Sequence, residues 1–191
     1  MSEDGGWDSL AATFDAQPDP VVRAAWSALL LGHLMPPPAR VADLGCGTGS
    51  LSVLLAEEGY KVVGLDSSAA MIAAARAKVA SRGVEVELSL GDAAEPPFAL
   101  GTFDAVLCRH LLWALAEPLE ALRRWLELLR PGGRLLLVEG RWWTGEGIPA
   151  GRAAGMLAEL GREALRVPLP DPRLWGSPIS DGRYLLVCPP E

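Results

Sequence analysis

The chain has 191 residues, 50% of them hydrophobic, with 17 basic against 24 acidic side chains and a net charge of −7. This size and apolar content suit one domain with an ample core and exclude a disordered chain. The acidic balance, with no run of Lys or Arg, argues against nucleic acid as a partner. The opening MSEDGGWDSL has neither the charge nor the apolar stretch of a signal peptide, and no apolar run approaches the ~20 residues that span a bilayer. The expectation is a cytoplasmic protein with no membrane partner. Cys46, Cys108 and Cys188 are far apart and in no metal-ligand spacing, so they read as reduced thiols and no metal is expected.

Residues 1–20 contain Trp7, Phe14 and a QPDP turn but no sustained period. They read as an arm, with the capacity to act as a lid, ahead of a domain over 21–191. Over residues 21–34, Val22, Ala25, Trp26, Leu29 and Leu30 form a helical stripe that includes His33 at its end, and the prolines at 36–38 stop it. A strand at 40–44 leads into VADLGCGTG (41–49), where Gly45, Gly47 and Gly49 alternate before a helix from about Ser50. So sharp a turn needs residues that tolerate positive φ, and it leaves bare backbone below whatever lies on it. The unsatisfied amides at the helix start favour a polar or anionic group there.

KVVGLD (61–66) is a second strand ending in Asp66, and Ser67 and Ser68 offer a cap for an alanine-rich helix that Gly83 closes. A third strand over 84–90 ends in Gly91-Asp92, and a fourth over 103–108 ends in Cys108-Arg109-His110. A helix follows from Pro118 to about residue 129, with Glu120 and Arg124 as an i, i+4 pair on solvated surface. The fifth strand, 134–139, is almost continuously apolar, as a strand covered on both faces should be. This alternation predicts a parallel sheet with helices on both sides. A short helix over 149–160 and strand-like runs at 163–169 and 184–188 then break it, and the last two are expected to pair antiparallel at the sheet edge.

In an open parallel sheet the ligand lies outside the carboxyl ends of the strands. Asp43, Asp66, Asp92 and the Cys108-Arg109-His110 group are all delivered there. Asp66 follows the glycine loop at close to the ~20 residues that place a carboxylate on a ribose diol, which points to a nucleoside-bearing cofactor. GxGxG alone is a weak motif. A nicotinamide dehydrogenase shares the loop and Asp66, but its fingerprint is GxGxxG, and here the third glycine comes one position early.

With DLGCGTG, LDSSAAM, GDA, FDAVLCRHLLWAL and LRPGGRLLLVEG in that order, the chain resembles class I S-adenosylmethionine-dependent methyltransferases, in the UbiE-like, methyltransferase type 11 branch. The resemblance is carried by residues 40–139. It implies a Rossmann-like α/β fold, doubly wound, with a seven-stranded sheet in the order 3-2-1-4-5-7-6 and strand 7 antiparallel. It also implies S-adenosyl-L-methionine as cofactor: Gly45, Cys46, Gly47 and Gly49 pack against the methionine and ribose, Asp43 lies at the base, and Asp66 with Ser67 takes the ribose end. Met71 covers the adenine, Asp92 and Ala93 meet its amine, and Arg109 lines the methionine end.

Simpler readings stand beside these. A Gly-Asp turn alone explains Asp92, core packing explains Met71, and at Cys46 the loop needs only a small residue. For the acceptor side, His110 is a candidate base, with a capping or buried histidine as the alternative. Trp7, Phe14, Trp113, Trp142 and Trp143 are candidate walls, and Glu139 and Arg141 candidate polar contacts. The function expected is methyl transfer to a small-molecule acceptor by a monomer or homodimer. The alternatives are a non-catalytic cofactor-binding module and a transferase moving another part of the cofactor.

Overall fold

The computed structural model describes residues 19–190; Trp7 and Phe14 lie outside them. In chain order the elements are α1 (Pro20–Leu31), β1 (Arg40–Leu44), α2 (Ser50–Glu57), β2 (Lys61–Asp66), α3 (Ala69–Arg82), β3 (Val86–Leu90), β4 (Phe103–Arg109), α4 (Pro118–Glu127), β5 (Leu129–Arg141), α5 (Ala150–Glu159), β6 (Leu165–Pro168) and β7 (Gly182–Cys188). Single 3₁₀ turns lie at Leu112–Ala114 and Pro172–Leu174. The seven strands form one sheet in the order β3-β2-β1-β4-β5-β7-β6. β1 to β5 run parallel, while β7 is antiparallel to both neighbours. The expected Rossmann-like sheet order and antiparallel seventh strand are present.

Because successive side chains of a strand point to opposite faces, each apolar strand supplies two cores. Ala105 and Leu107 of β4, Leu136 and Val138 of β5, and Leu185 and Val187 of β7 pack with Trp26 and Leu30 of α1 and Leu51, Leu54 and Leu55 of α2. The intervening Val106, Cys108, Leu135, Leu137, Tyr184 and Leu186 face the other way, onto Leu122 and Trp125 of α4 and Ala153 and Leu157 of α5. This double burial accounts for the continuous apolar runs. Among the described residues no helix is long and apolar enough to cross a membrane.

Several boundaries differ from the sequence reading. α1 stops at Leu31, so His33 is not helical; it sits in the following turn, where its carbonyl accepts from Arg134 Nη1 at 2.7 Å. β5 begins at Leu129 rather than 134, because Arg130-Pro131-Gly132-Gly133, which reads as a turn, forms its irregular start opposite a register shift between Phe103 and Ala105. There, a Cβ on Gly133 would approach the Phe103 carbonyl oxygen to 3.0 Å. Nor is the pair of Glu120 and Arg124 mere solvated surface. Arg124 meets Glu120 at 3.4 Å, and also reaches the Ala94 carbonyl at 3.0 Å and Glu95 at 2.9 Å.

Trp125, on the same helix, is fully buried and donates from Nε1 to the Ala93 carbonyl at 2.7 Å. Helix α4 therefore holds the loop after β3 through two residues. Trp125→Ala removes both a large buried ring and that tether, and is expected to cost about 3–5 kcal/mol. Urea unfolding followed by far-ultraviolet circular dichroism measures the loss.

Candidate functional site

Registry brings the strand ends level, since Leu44 pairs with Leu65 on one side and with Cys108 on the other. Just beyond them lies a cavity of about 190 Å³. Its walls include Asp43, Gly45, Cys46 and Gly47 from the first loop, Asp66, Ser67 and Met71 from the second, Asp92 and Ala93 from the third, and Arg109 and His110 from the fourth. Thr48, Ser50, Leu51, Leu111 and Leu115 also line it. The sequence reading did not select these five, although all belong to or adjoin the motifs it singled out. Gly49 acts from behind: it caps α2 with φ 74°, and a Cβ there would come within 3.0 Å of Ala75 Cβ.

The loop is fastened to β2 by its backbone. The amides of Gly45 and Cys46 both donate to the Leu65 carbonyl, at 2.8 and 3.0 Å. Asp66 closes the arrangement: Oδ2 accepts from the Gly47 amide at 2.8 Å and Oδ1 from the Ser68 amide at 2.9 Å. Gly47 holds φ 55°, a conformation that costs glycine little and other residues more. Ser68, rather than Ser67, caps α3, its hydroxyl accepting from Met71 N at 3.1 Å. On the far side Lys78 Nζ donates to Thr48 Oγ1 and Ser50 Oγ, each at 3.0 Å.

Asp43 is buried and accepts from Ser52 Oγ at 2.5 Å. Burial pushes its carboxyl up to about 6, against the pull of the Ser52 hydroxyl and the Arg109 charge. Arg109 in turn lies 5.3 Å over the Trp26 ring, a position that suits a guanidinium. Cys46 and Cys108 are buried, and burial raises both thiols, so neither offers a thiolate nucleophile at neutral pH. Asp92 both lines the cavity and accepts from Ala94 N at 2.7 Å, so the turn reading and the wall position hold together.

His110 is the only non-glycine residue with positive φ among the described residues, at 60°. Its ring stacks on Trp175 at 5.7 Å and meets Trp142 edge-on at 5.2 Å, and Trp142 contacts Trp113 at 5.5 Å. Burial, with Arg109 and Arg183 nearby, lowers the imidazole to about 3. The ring is therefore neutral at physiological pH and a poor proton acceptor there. Of the candidate acceptor walls, Trp113 and Trp142 stand behind His110 rather than on the cavity itself. Trp143 is 84% exposed and away from it.

Glu139 corrects the sequence reading most clearly. Expected as a loop charge or a contact for a polar substrate group, it is 0% exposed. Its Oε1 accepts from the Leu112 amide at 2.7 Å, and its Oε2 has no partner. Burial pushes the carboxyl up to about 8, against backbone amides of residues 111–113 and 140. The folded protein thus keeps a proton that the unfolded chain loses near the ordinary Glu value. This contribution to stability is complete at about pH 4 and is lost as pH rises to about 8. Glu139→Gln cannot ionise, so its unfolding free energy relative to wild type is expected to rise between about pH 5 and about pH 8. Urea titrations at the two pH values measure the change.

Residues 41–133 match the family model described as a methyltransferase domain. Demethylmenaquinone methyltransferase of Thermus thermophilus is 41% identical over 104 residues, covering 53% of this chain and 47% of that protein. Ubiquinone biosynthesis O-methyltransferase of Xanthomonas campestris pv. campestris is 40% identical over 105 residues, covering 53% of this chain and 43% of that one. The chain thus spans about half the length of the curated relatives it matches. A solved S-adenosylmethionine-dependent methyltransferase from Aquifex aeolicus superposes with a TM-score of 0.75 at 19% identity, over 95% of this chain and 97% of that one. That likeness speaks for the fold alone. Residues 41–133 thus form a methyltransferase domain, and the relatives and the strand order agree with a class I S-adenosylmethionine-dependent methyltransferase.

Proposed function

We propose that this chain transfers a methyl group, in line, from S-adenosyl-L-methionine to a small-molecule acceptor. The observation that carries the reading is the Asp66 carboxylate, held by two backbone amides at the rim of a cavity floored by glycine. A carboxylate has about four acceptor sites. Two amides leave capacity for the paired hydroxyls of a ribose. A Cβ on Gly47 would meet nothing nearer than Met71 Sδ at 4.0 Å, so bare backbone faces open space of the kind a bound nucleoside needs.

The residues present fit the cofactor. Gly45, Cys46 and Gly47 would form the cradle, with Gly49 behind them, Asp66 and Ser67 would take the ribose, Met71 would cover the adenine, and Asp92 with Ala93 would meet its amine. Asp43 and Arg109 stand at the methionine end. When bound, the cofactor supplies a methyl group already activated by a positive sulfur. The chain's part is to orient the two reactants and exclude water, which accounts for much of a barrier of this type. A base is needed only for an acceptor that begins protonated. With its imidazole lowered to about 3, His110 serves as an uncharged wall and not as that base. Trp113 and Trp142 are proposed for the acceptor side, together with Trp7 and Phe14 from outside the described residues, whereas Trp143, 84% exposed, is not.

The relatives, a demethylmenaquinone methyltransferase and a ubiquinone biosynthesis O-methyltransferase, support a quinone-related small molecule as acceptor. Isothermal titration against S-adenosylmethionine, S-adenosylhomocysteine and NAD tests the cofactor: the two sulfur compounds are expected to bind and NAD not to. Absence of binding by either sulfur compound at about millimolar concentration, about 4 kcal/mol, removes the proposal. Asp66→Ala is expected to weaken S-adenosylhomocysteine at least about tenfold while the protein stays folded. Methyl-labelled cofactor incubated with quinol and phenol acceptors separates an enzyme from a binding module, which transfers no label.

A further inference from the structure

Glu139 touches no part of the cavity, yet a chain of contacts leads from it to the glycine loop. We propose that Glu139 is a positioning residue: by accepting the Leu112 amide it sets the turn Leu111–Ala114, and through Leu111 and His110 that turn fixes one wall of the cofactor cavity. The inference rests on the cofactor reading above for its binding arm only.

The geometry runs in three steps. First, Glu139 Oε1 holds the Leu112 amide at 2.7 Å, the first amide of the 3₁₀ turn Leu112–Ala114. A helix start has no intrahelical partner for that group, and Leu112 is fully buried, so water cannot substitute. Second, the residue just before the turn, Leu111, packs against the glycine loop. A Cβ added to Gly45 would lie 2.6 Å from Leu111 Cδ2, and Leu111 and Leu115 both line the cavity.

Third, His110 is pinned from both sides in a left-handed conformation that side chains rarely adopt. Its amide donates to the Val138 carbonyl at 2.9 Å, and its carbonyl accepts from Trp113 Nε1 at 3.0 Å. Val138 is the neighbour of Glu139 on β5, and Trp113 lies on the turn that Glu139 caps. Strain of this kind persists only where surrounding contacts over-determine it. Glu139 and its strand are those contacts.

Around these groups stand Arg109, Arg183, Trp142 and Trp175 on the His110 side, and Tyr184 and Cys108 on the Glu139 side. Burial keeps the carboxyl protonated at neutral pH. The carbonyl oxygen alone then serves the Leu112 amide, and an uncharged amide side chain does the same. Glutamine is thus the conservative replacement. Methionine keeps the shape and removes the acceptor.

The chain has two histidines, His33 and His110, so imidazole ¹H–¹⁵N correlation spectra read His110 directly. In Glu139→Met the His110 ring signals are expected to leave their Trp-shielded positions and titrate closer to the ordinary ~6.5. S-adenosylhomocysteine should bind about tenfold more weakly by calorimetry, the size of one lost buried hydrogen bond. Glu139→Gln should match wild type in both readouts. Glu139→Leu repeats the test if the methionine variant does not fold. A folded Glu139→Met with unchanged His110 signals and unchanged affinity overturns the proposal, and so does a Glu139→Gln that loses as much as Glu139→Met. If wild type itself fails to bind S-adenosylhomocysteine, the cofactor reading falls, and the His110 spectra still decide the role of Glu139.

Discussion

The carboxylate of Asp66 joins two elements that are not adjacent in the chain, and the site depends on that junction. It ends β2, yet its Oδ2 accepts the amide of Gly47 in the loop after β1, while Oδ1 accepts from Ser68 at the start of α3. Buried amides must find acceptors, and the three glycines of the loop, all in left-handed conformations, bring no side chains to provide them. Asp66 and the Leu65 carbonyl supply them from the next strand. The flexible part of the site is thereby held by a rigid one, because Asp66 is fixed in turn by the parallel register of β1 and β2.

A second set of tethers works from below and behind. Trp125 and Arg124 of α4 hold the Ala93-Ala94 loop, Ser52 of α2 holds Asp43, and Glu139 of β5 holds the turn after β4. Each is a side chain on a regular element reaching a loop backbone or a buried carboxylate. Sites built this way keep their geometry because the anchoring side chains are locked by core packing. The raised carboxyls of Asp43 and Glu139 are the electrostatic consequence of placing acids where water does not reach.

Much of this was readable in advance. The alternation of strands and helices, the glycine loop and the acidic strand ends all depend on local periodicity and on φ tolerance, and these are properties of short windows. The walls formed by Asp43, Asp66, Asp92 and Arg109 followed from the rule that strand ends face the ligand, and Met71 followed only from the family resemblance. Other features were misread for a common reason. Pro131-Gly132-Gly133 reads locally as a turn, but the partner strand β4 draws it into β5 through a register shift. Glu120 and Arg124 read as a surface pair because helical spacing says nothing of a loop about 30 residues away, and the Ala94 carbonyl and Glu95 lie in just such a loop. His33 falls outside its helix because Gly32 caps it.

By itself the amino-acid sequence determined the α/β class, the place of the glycine turn and the identity of the groups at the strand ends, since these rest on side-chain alternation and backbone freedom within a few residues. Tertiary structure alone decided what those groups became. Burial turned His110 into a neutral ring between indoles and made Glu139 a buried cap with a raised carboxyl where a loop charge or a substrate contact was expected. Protonation and orientation depend on desolvation and on neighbours brought together by folding, and no local window of sequence contains them.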